Sequence, residues 1–317
     1  MAVLKPLKTA HPQARLSFLT SPVGQELLKN NPYLSEIFAF QKKAGLSLDR
    51  IAWIRKLRQK KFDLIINLKS GSFFPYFLGF QKKWNILPKD KKLRSKRTTH
   101  AIDIYLNVIR QQGVAALKKD LDMRVYPADQ ERQTLKDLLA REGHDFKKQI
   151  LVFAPFSNWH AKEWGIERFL KLSDQLKRQF NTQNIFVGGR EDCQKIGHTP
   201  FPSPFINFVG KLTLRQLAAL YEQTRLAIGG DSGPFHLAVN QGTPALALFG
   251  ATAYQRARPY FSPDHYMSCE KNLGCNPCIP GPHYMACRVY DRTTPCMEAL
   301  SFESVYKKAQ HLLSARS

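Results

Sequence analysis

The chain has 317 residues, 43% of them hydrophobic, enough to bury two ordinary cores, and it contains no run of eighteen apolar residues, which excludes a helical membrane span. Its first residues lack the apolar centre and small-residue cleavage site of a signal peptide, so a cytoplasmic protein is expected. Lys and Arg number 48 against 25 Asp and Glu, a net charge of +23, concentrated at 55–61, 82–97 and 118–119; the surplus suits polyanions (nucleic acid, anionic lipid or a phosphorylated glycolipid) unless it is simply a solvated basic surface.

In chain order, 2–10 reads as a helix, 15–20 as a strand, 22–30 as a helix and 36–40 as a short strand. A helix follows over 51–59, with Ile51, Ile54 and Leu57 at helical spacing, and then a buried parallel-type strand over 62–68. A helix over 99–112 places Ile102, Tyr105, Leu106 and Ile109 on one face. A charged helix over 129–142 and a polar connection over 143–148 mark a change of composition. Beyond it come strand 149–155, helix 166–180, strand 184–188, helix 214–222, strand 226–229, a helical pattern over 236–240, strand 245–249 and an amphipathic helix over 302–313. Strands alternating with helices indicate parallel sheets. The expected organisation is α/β: two doubly wound, Rossmann-like domains, 1–145 and 146–297, with a ligand cleft between them, and a terminal helix over 298–317.

Four loops after the strands of the second half carry matching chemistry. The first, Pro155 to Trp164, contains Ser157 and Asn158 and brings Lys162 to the carboxyl end of a strand, where an ammonium can reach a phosphate. Gly188-Gly189-Arg190-Glu191-Asp192 makes a tight turn, and Glu191 suits ribose hydroxyls. Gly210-Lys211-Leu212-Thr213 offers Thr213 as a helix N-cap. Gly229-Gly230-Asp231-Ser232-Gly233-Pro234-Phe235-His236 opens a helix whose free N–H groups and positive dipole end suit a diphosphate; Gly233 allows close backbone approach. Each loop has a plain alternative: Lys162 a surface lysine, Glu191 and Asp192 first-turn charges, Asp231 an N-cap, His236 a core histidine.

These segments resemble glycosyltransferase family 9, the bacterial lipopolysaccharide heptosyltransferases. The resemblance rests on Phe153-Ala154-Pro155 through Lys162-Glu163-Trp164, on Phe186-Val187-Gly188-Gly189-Arg190-Glu191, on Gly230 to Ala238, and on Gly242-Thr243-Pro244 through Thr252. It extends more weakly to 62–68 and 99–103. It implies a GT-B fold and an inverting transfer from a sugar nucleotide, usually ADP-heptose, with no metal required. By the same resemblance Lys162 contacts the leaving diphosphate and Glu191 holds the ribose. Asp231, Ser232, Gly233 and His236 embrace diphosphate and sugar, the backbone of Leu212 meets the adenine, and Ser157 and Asn158 belong to the donor site.

The family opens with a strand and a glycine-containing loop whose aspartate is the base. Residues 1–7 here resemble the helix after that loop, and no other carboxylate takes the base's place, Asp63 standing at the start of a strand on the opposite rim. The expectation is therefore a first domain incomplete at its start. Two functions stay open: a transferase acting on lipopolysaccharide core or a similar phosphorylated glycolipid at the inner-membrane face, with Lys69, Arg94 and Arg97 as acceptor contacts, and a binding paralogue without turnover. Nucleic-acid binding lacks a reading motif. Cys275, Cys278, Cys287 and Cys296 form a thiol-rich segment. Zinc ligation is one reading, although the eight-residue spacing of the last pair is unlike a zinc ribbon; packing or redox-labile thiols are the other.

Overall fold

Five-residue runs such as Ile150–Ala154 and Ala245–Phe249 have no polar position at all, and in the computed structural model both are buried along their whole length. A strand covered on both faces belongs in a parallel sheet with helices above and below. The structure describes residues 1–40, 48–68, 81–85, 99–196, 205–271, 273–275, 278, 287 and 294–315. They form two compact units, Met1–Met123 and Arg124–Ser317.

In the first unit β1 (Ser17–Thr20) pairs in parallel with β2 (Glu36–Ala39). The helix Pro22–Leu28 lies between them in sequence, started by Ser21, whose hydroxyl accepts from the Gly24 amide. β3 (Leu64–Asn67) pairs in parallel with β4 (Lys82–Asn85). The helices Leu4–Ala10, Leu48–Arg58 and Ala101–Arg110 fall where the periodicity puts them. Two expectations change. β3 is half-buried rather than buried, its partner β4 carrying Lys82 and Lys83. β4 itself was hidden from the pattern by its charge, its apolar content being Trp84 alone.

The second unit is built on β5 (Ile150–Ala154), β6 (Gln183–Gly188), β7 (Ile206–Val209), β8 (Thr224–Gly230), β9 (Ala245–Phe249) and β10 (Tyr266–Ser268). All are parallel, in the order β10-β9-β8-β5-β6-β7. The order runs outward from β5 through β6 to β7, then reverses to β8 on the other side of β5. That reversal between β5 and β8 is the topological switch point, where the strand-end loops part and leave room for a ligand. One face of the sheet is covered by helix Ile166–Phe180 together with the terminal helix Phe302–Ser314. Trp164 joins them: its ring stacks on Phe302 at 6.3 Å and its Nε1 donates to Leu300 O at 2.8 Å. The terminal helix is therefore part of this unit's core, with Val305, Ala309, Leu312 and Leu313 buried.

Helix Asp129–Arg141, assigned from composition to the first domain, belongs to the second unit. The cause is a set of buried polar contacts. Arg215, 3% exposed, bonds the Glu131 carboxylate and Tyr126 O, while Gln241 binds the backbone of Val125 at both its N–H (2.7 Å) and its C=O (3.1 Å). A boundary at 145 would sever all of these.

Candidate active site

Two loops meet at the switch point. After β5 the chain turns through Pro155–Asn158 and a 3₁₀ turn at His160–Lys162. After β8 it passes Asp231 and Ser232 into helix Gly233–Asn240, with Pro234 in the first turn. They approach closely because two strand-end residues have no side chain: a Cβ on Gly230 would sit 2.8 Å from Lys162 O, and one on Gly229 would sit 2.9 Å from Ala154 O. Among the described residues nothing lies within 4 Å of where a Cβ on Gly233 would be, so the close approach is made by Gly229 and Gly230.

Lys162 and Asp231, 69 residues apart in sequence, form an ion pair. Lys162 Nζ donates to Asp231 Oδ2 at 2.8 Å and to Asp231 O at 3.2 Å, and lies 5.7 Å from the centre of the Trp159 ring. His236 Nε2 lies 2.8 Å from the other carboxylate oxygen, Oδ1. Asp231 thus holds a cationic side chain on one oxygen and an imidazole on the other. The Asp231 side chain is 11% exposed, and burial alone would raise its pKa. The hydrogen bond from His236 and the charges of Lys162 and His236 outweigh that, holding it well below the usual carboxylate range. The same contacts therefore favour Asp231 as an anion. An ammonium has three protons to donate; two go to Asp231, leaving one for a ligand oxygen.

Ser232 is the N-cap residue of helix Gly233–Asn240, but its hydroxyl makes no cap bond. Its Oγ is buried, in a residue 9% exposed, without a partner among the described residues. A buried hydroxyl left unbonded costs about 1–3 kcal/mol. Beside the helix N-terminus it can donate a hydrogen bond to an anion.

The flanking loops complete the rim. After β6, Gly188–Asp192 turns with Asp192 Oδ2 accepting from the Gly189 amide at 2.8 Å. Glu191 is exposed and folds over Gly189, its carboxylate 3.0 Å from where a Cβ there would be. Leu212 is half-buried between Gly210, whose φ is +71°, and Thr213, which caps helix Leu214–Glu222 in a capping box with Gln216. Ser157 accepts from the Trp159 amide through its hydroxyl at 3.3 Å and donates its own amide to Glu163 at 2.9 Å; Asn158 is exposed beside it. So Ser157, Asn158, Lys162, Glu191, Leu212, Asp231, Ser232, Gly233 and His236 all lie on loops at the carboxyl ends of one sheet, or in the helix that opens there. Lys69, Arg94 and Arg97 lie outside the described residues.

Sequence reasoning missed Lys195. It is on the one-turn helix Cys193–Ile196 and contacts both the Lys162 loop and the Glu191 loop. A lysine three residues beyond a loop motif gives no signal in the sequence.

The thiols lie past the carboxyl ends of β9 and β10: the Cys269 amide donates to Phe249 O, the Cys278 amide donates to Ala251 O, and a Cβ on Gly250 would come 3.1 Å from Cys296 Sγ. Cys278 and Cys296 are buried in the core cluster and Cys269 packs against it. Burial, with Cys278, Cys269 and Cys287 as neighbours, pushes the Cys296 thiol up to about 12. The group found in space thus includes Cys269 beside Cys278, Cys287 and Cys296. Among the described residues no set of three or more His, Cys, Asp or Glu side chains is arranged to hold a metal ion. No helix among them is long and apolar enough to cross a membrane.

Known proteins match this architecture. The model of glycosyltransferase family 9 (heptosyltransferase) matches residues 50–287. The lipopolysaccharide core heptosyltransferase OpsX of Haemophilus influenzae is 24% identical over 288 residues, covering 84% of this chain and 79% of its own. A lipopolysaccharide heptosyltransferase 3 of Escherichia coli is 26% identical over 279 residues, covering 81% of each chain. Among solved structures, a family 9 glycosyltransferase from Veillonella parvula superposes with a TM-score of 0.77 at 22% identity, covering 99% of this chain and 92% of that one. The E. coli heptosyltransferase WaaC with ADP superposes with a TM-score of 0.67 at 14% identity, covering 98% and 94%. The fold is the α/β GT-B fold of these enzymes. With its matched region spanning most of its length, the chain belongs to glycosyltransferase family 9, the heptosyltransferases.

Proposed function

We propose that this enzyme transfers a heptose from a nucleoside diphosphate sugar to lipopolysaccharide core or a similar phosphorylated glycolipid, with inversion at the sugar carbon. The observation that carries the reading is the convergence at one switch point of the Lys162 ammonium, the unpartnered Ser232 hydroxyl and a helix N-terminus. These are donors for a diphosphate. The matched relatives, named as lipopolysaccharide heptosyltransferases, and the WaaC structure holding ADP support the choice of sugar and nucleotide.

The proposed chemistry follows from the charges. As the glycosidic C–O bond breaks, negative charge grows on the leaving diphosphate. Lys162 and the amides after Asp231 are fixed in place before that charge appears, so they stabilise it without reorganisation. Asp231 keeps Lys162 and His236 oriented and has sugar hydroxyls within its chemistry as an acceptor. Glu191, exposed on the neighbouring loop, accepts from the ribose, and Leu212 lies at the base. With the leaving group held by a lysine and a helix end, no metal is needed. The acceptor hydroxyl attacks the opposite face of the sugar and must lose a proton there.

Most of the surplus positive charge falls in residues 1–123. An anionic membrane surface attracts such a unit, so we place the enzyme in the cytoplasm, peripherally on the inner membrane. The test is a panel of nucleotide sugars in a thermal-stability assay, followed by transfer to a lipopolysaccharide-core acceptor. Stabilisation by ADP-heptose with turnover supports the proposal. Stabilisation without turnover identifies a binding paralogue, and no response to any nucleotide sugar refutes the donor site.

A further inference from the structure

The loop that carries Lys162 and the loop that carries Glu191 leave different strands, β5 and β6, and neither bonds the other directly through the groups described above. Lys195 joins them. Its Nζ donates to Ser157 O at 2.8 Å and to Glu163 Oε1 at 2.6 Å on the first loop, and lies 3.2 Å from Asp192 Oδ1 on the second. Each carboxylate it touches is already holding its own loop. Glu163 Oε1 accepts the Ser157 amide at 2.9 Å, and Asp192 Oδ2 accepts the Gly189 amide at 2.8 Å. Both acids are largely enclosed, their side chains 12% and 9% exposed. Among the described residues Asp192 Oδ1 has no hydrogen-bond partner of good geometry, and Lys195 compensates it by charge. Burial works against the Lys195 charge, but the hydrogen bond to Glu163 and the negative charges of Glu163 and Asp192 outweigh it and keep its pKa above the ordinary lysine value. Packing agrees with the bonds: a Cβ on Gly188 would come within 3.1 Å of Asp192 and Val209 and 3.0 Å of Phe156, so the two loops interlock at that point.

We propose that Lys195 is a positioning residue for donor binding, a cationic clamp that fixes the spacing between the diphosphate-side loop and the ribose-side loop. This rests on the reading of those loops as a nucleotide-sugar site. A nucleoside diphosphate touches both loops, so its affinity depends on their spacing; a ligand that touches one loop does not feel it. Lys195 itself needs no contact with the ligand.

The experiment compares the full-length wild type with Lys195→Met and Lys195→Arg. In the unliganded protein, amide exchange in Lys195→Met is expected to quicken in both 155–164 and 188–192, and to return toward wild type in Lys195→Arg. Quickening confined to one loop, or spread through the whole unit, overturns the clamp. In titrations, ADP is expected to bind Lys195→Met roughly tenfold more weakly and inorganic pyrophosphate less than about twofold more weakly. Equal weakening of both probes, or of neither, overturns the clamp as well. If wild-type protein binds neither probe, the donor-site reading fails, and the exchange measurement still decides whether Lys195 ties the loops together.

Discussion

Replacing Lys162 by methionine removes one charge and keeps most of the side chain's packing against Trp159. Two consequences separate cleanly. The first is stability. Asp231, 11% exposed, loses the ammonium on Oδ2 and keeps His236 on Oδ1. Stranding a fully buried charge costs about 3–5 kcal/mol, whereas breaking an exposed pair costs about 0–1 kcal/mol. With Lys162 21% exposed, this pair lies between those limits, at about 2 kcal/mol. For a unit of this size that lowers the melting temperature by about 4–8 °C. The second is transfer. A lost charge donor to a developing phosphate anion costs roughly 100- to 1000-fold in kcat. The double variant Lys162→Met/Asp231→Asn tells the two apart. It has no stranded charge, so its melting temperature returns toward wild type, while transfer stays as low as in the single variant. The assays are thermal melts and transfer rates at saturating acceptor. A single variant retaining transfer within about threefold of wild type would contradict the leaving-group role, since even one weak charge-assisted contact is worth more than that.

Other expectations concern the same framework. The Asp231 carboxyl has its folded pKa below the ordinary value, so its contribution to stability is complete above about pH 4 and is lost as pH falls further toward that folded value. Acid melts of wild type should therefore fall more steeply below about pH 4 than those of Asp231→Asn; parallel curves would refute this. Gly230→Ala would push a methyl to 2.8 Å from Lys162 O, and should reduce donor binding more than Gly233→Ala, whose methyl meets none of the described residues within 4 Å. Equal effects in titration would show that the loop contact is not what Gly230 serves. Arg215→Met leaves Glu131, 23% exposed, without its buried partner and should cost about 2 kcal/mol in urea melts of the second unit, against less than about 1 kcal/mol for Arg132→Met, whose partners Asp129 and Glu222 are exposed or partly exposed. Cys296, its thiol pushed up to about 12, should resist iodoacetamide at pH 8 in the folded protein while exposed Cys193 reacts. Modification of Cys296 at the rate of Cys193 would contradict its burial.

The sequence made the second unit readable because its signals there are redundant. Helices 166–180 and 214–222 and strand 245–249 carry long apolar patterns with clean ends, and they stand where expected. Short strands at the sheet edges were not legible. Tyr266–Ser268 has only three residues and Lys82–Asn85 has two lysines, so neither shows a period. The unit boundary misled because composition changes near 145, whereas the contacts of Arg215 and Gln241 that bind 124–141 to the second unit are long-range and leave no local pattern. The loops of the site were visible as residue types. What the structure adds is their pairing: that Asp231 holds both Lys162 and His236, that Ser232 is left unbonded, and that Lys195 bridges two loops.

The central claim is that the rim formed by Lys162, Ser232 and the helix beginning at Gly233 binds the diphosphate of an activated sugar. Calorimetric titration of ADP-heptose into wild-type protein and into Lys162→Met measures it directly. The account predicts saturable binding to wild type and at least tenfold weaker binding to the variant, about 1.4 kcal/mol. Equal affinity for both proteins would contradict it.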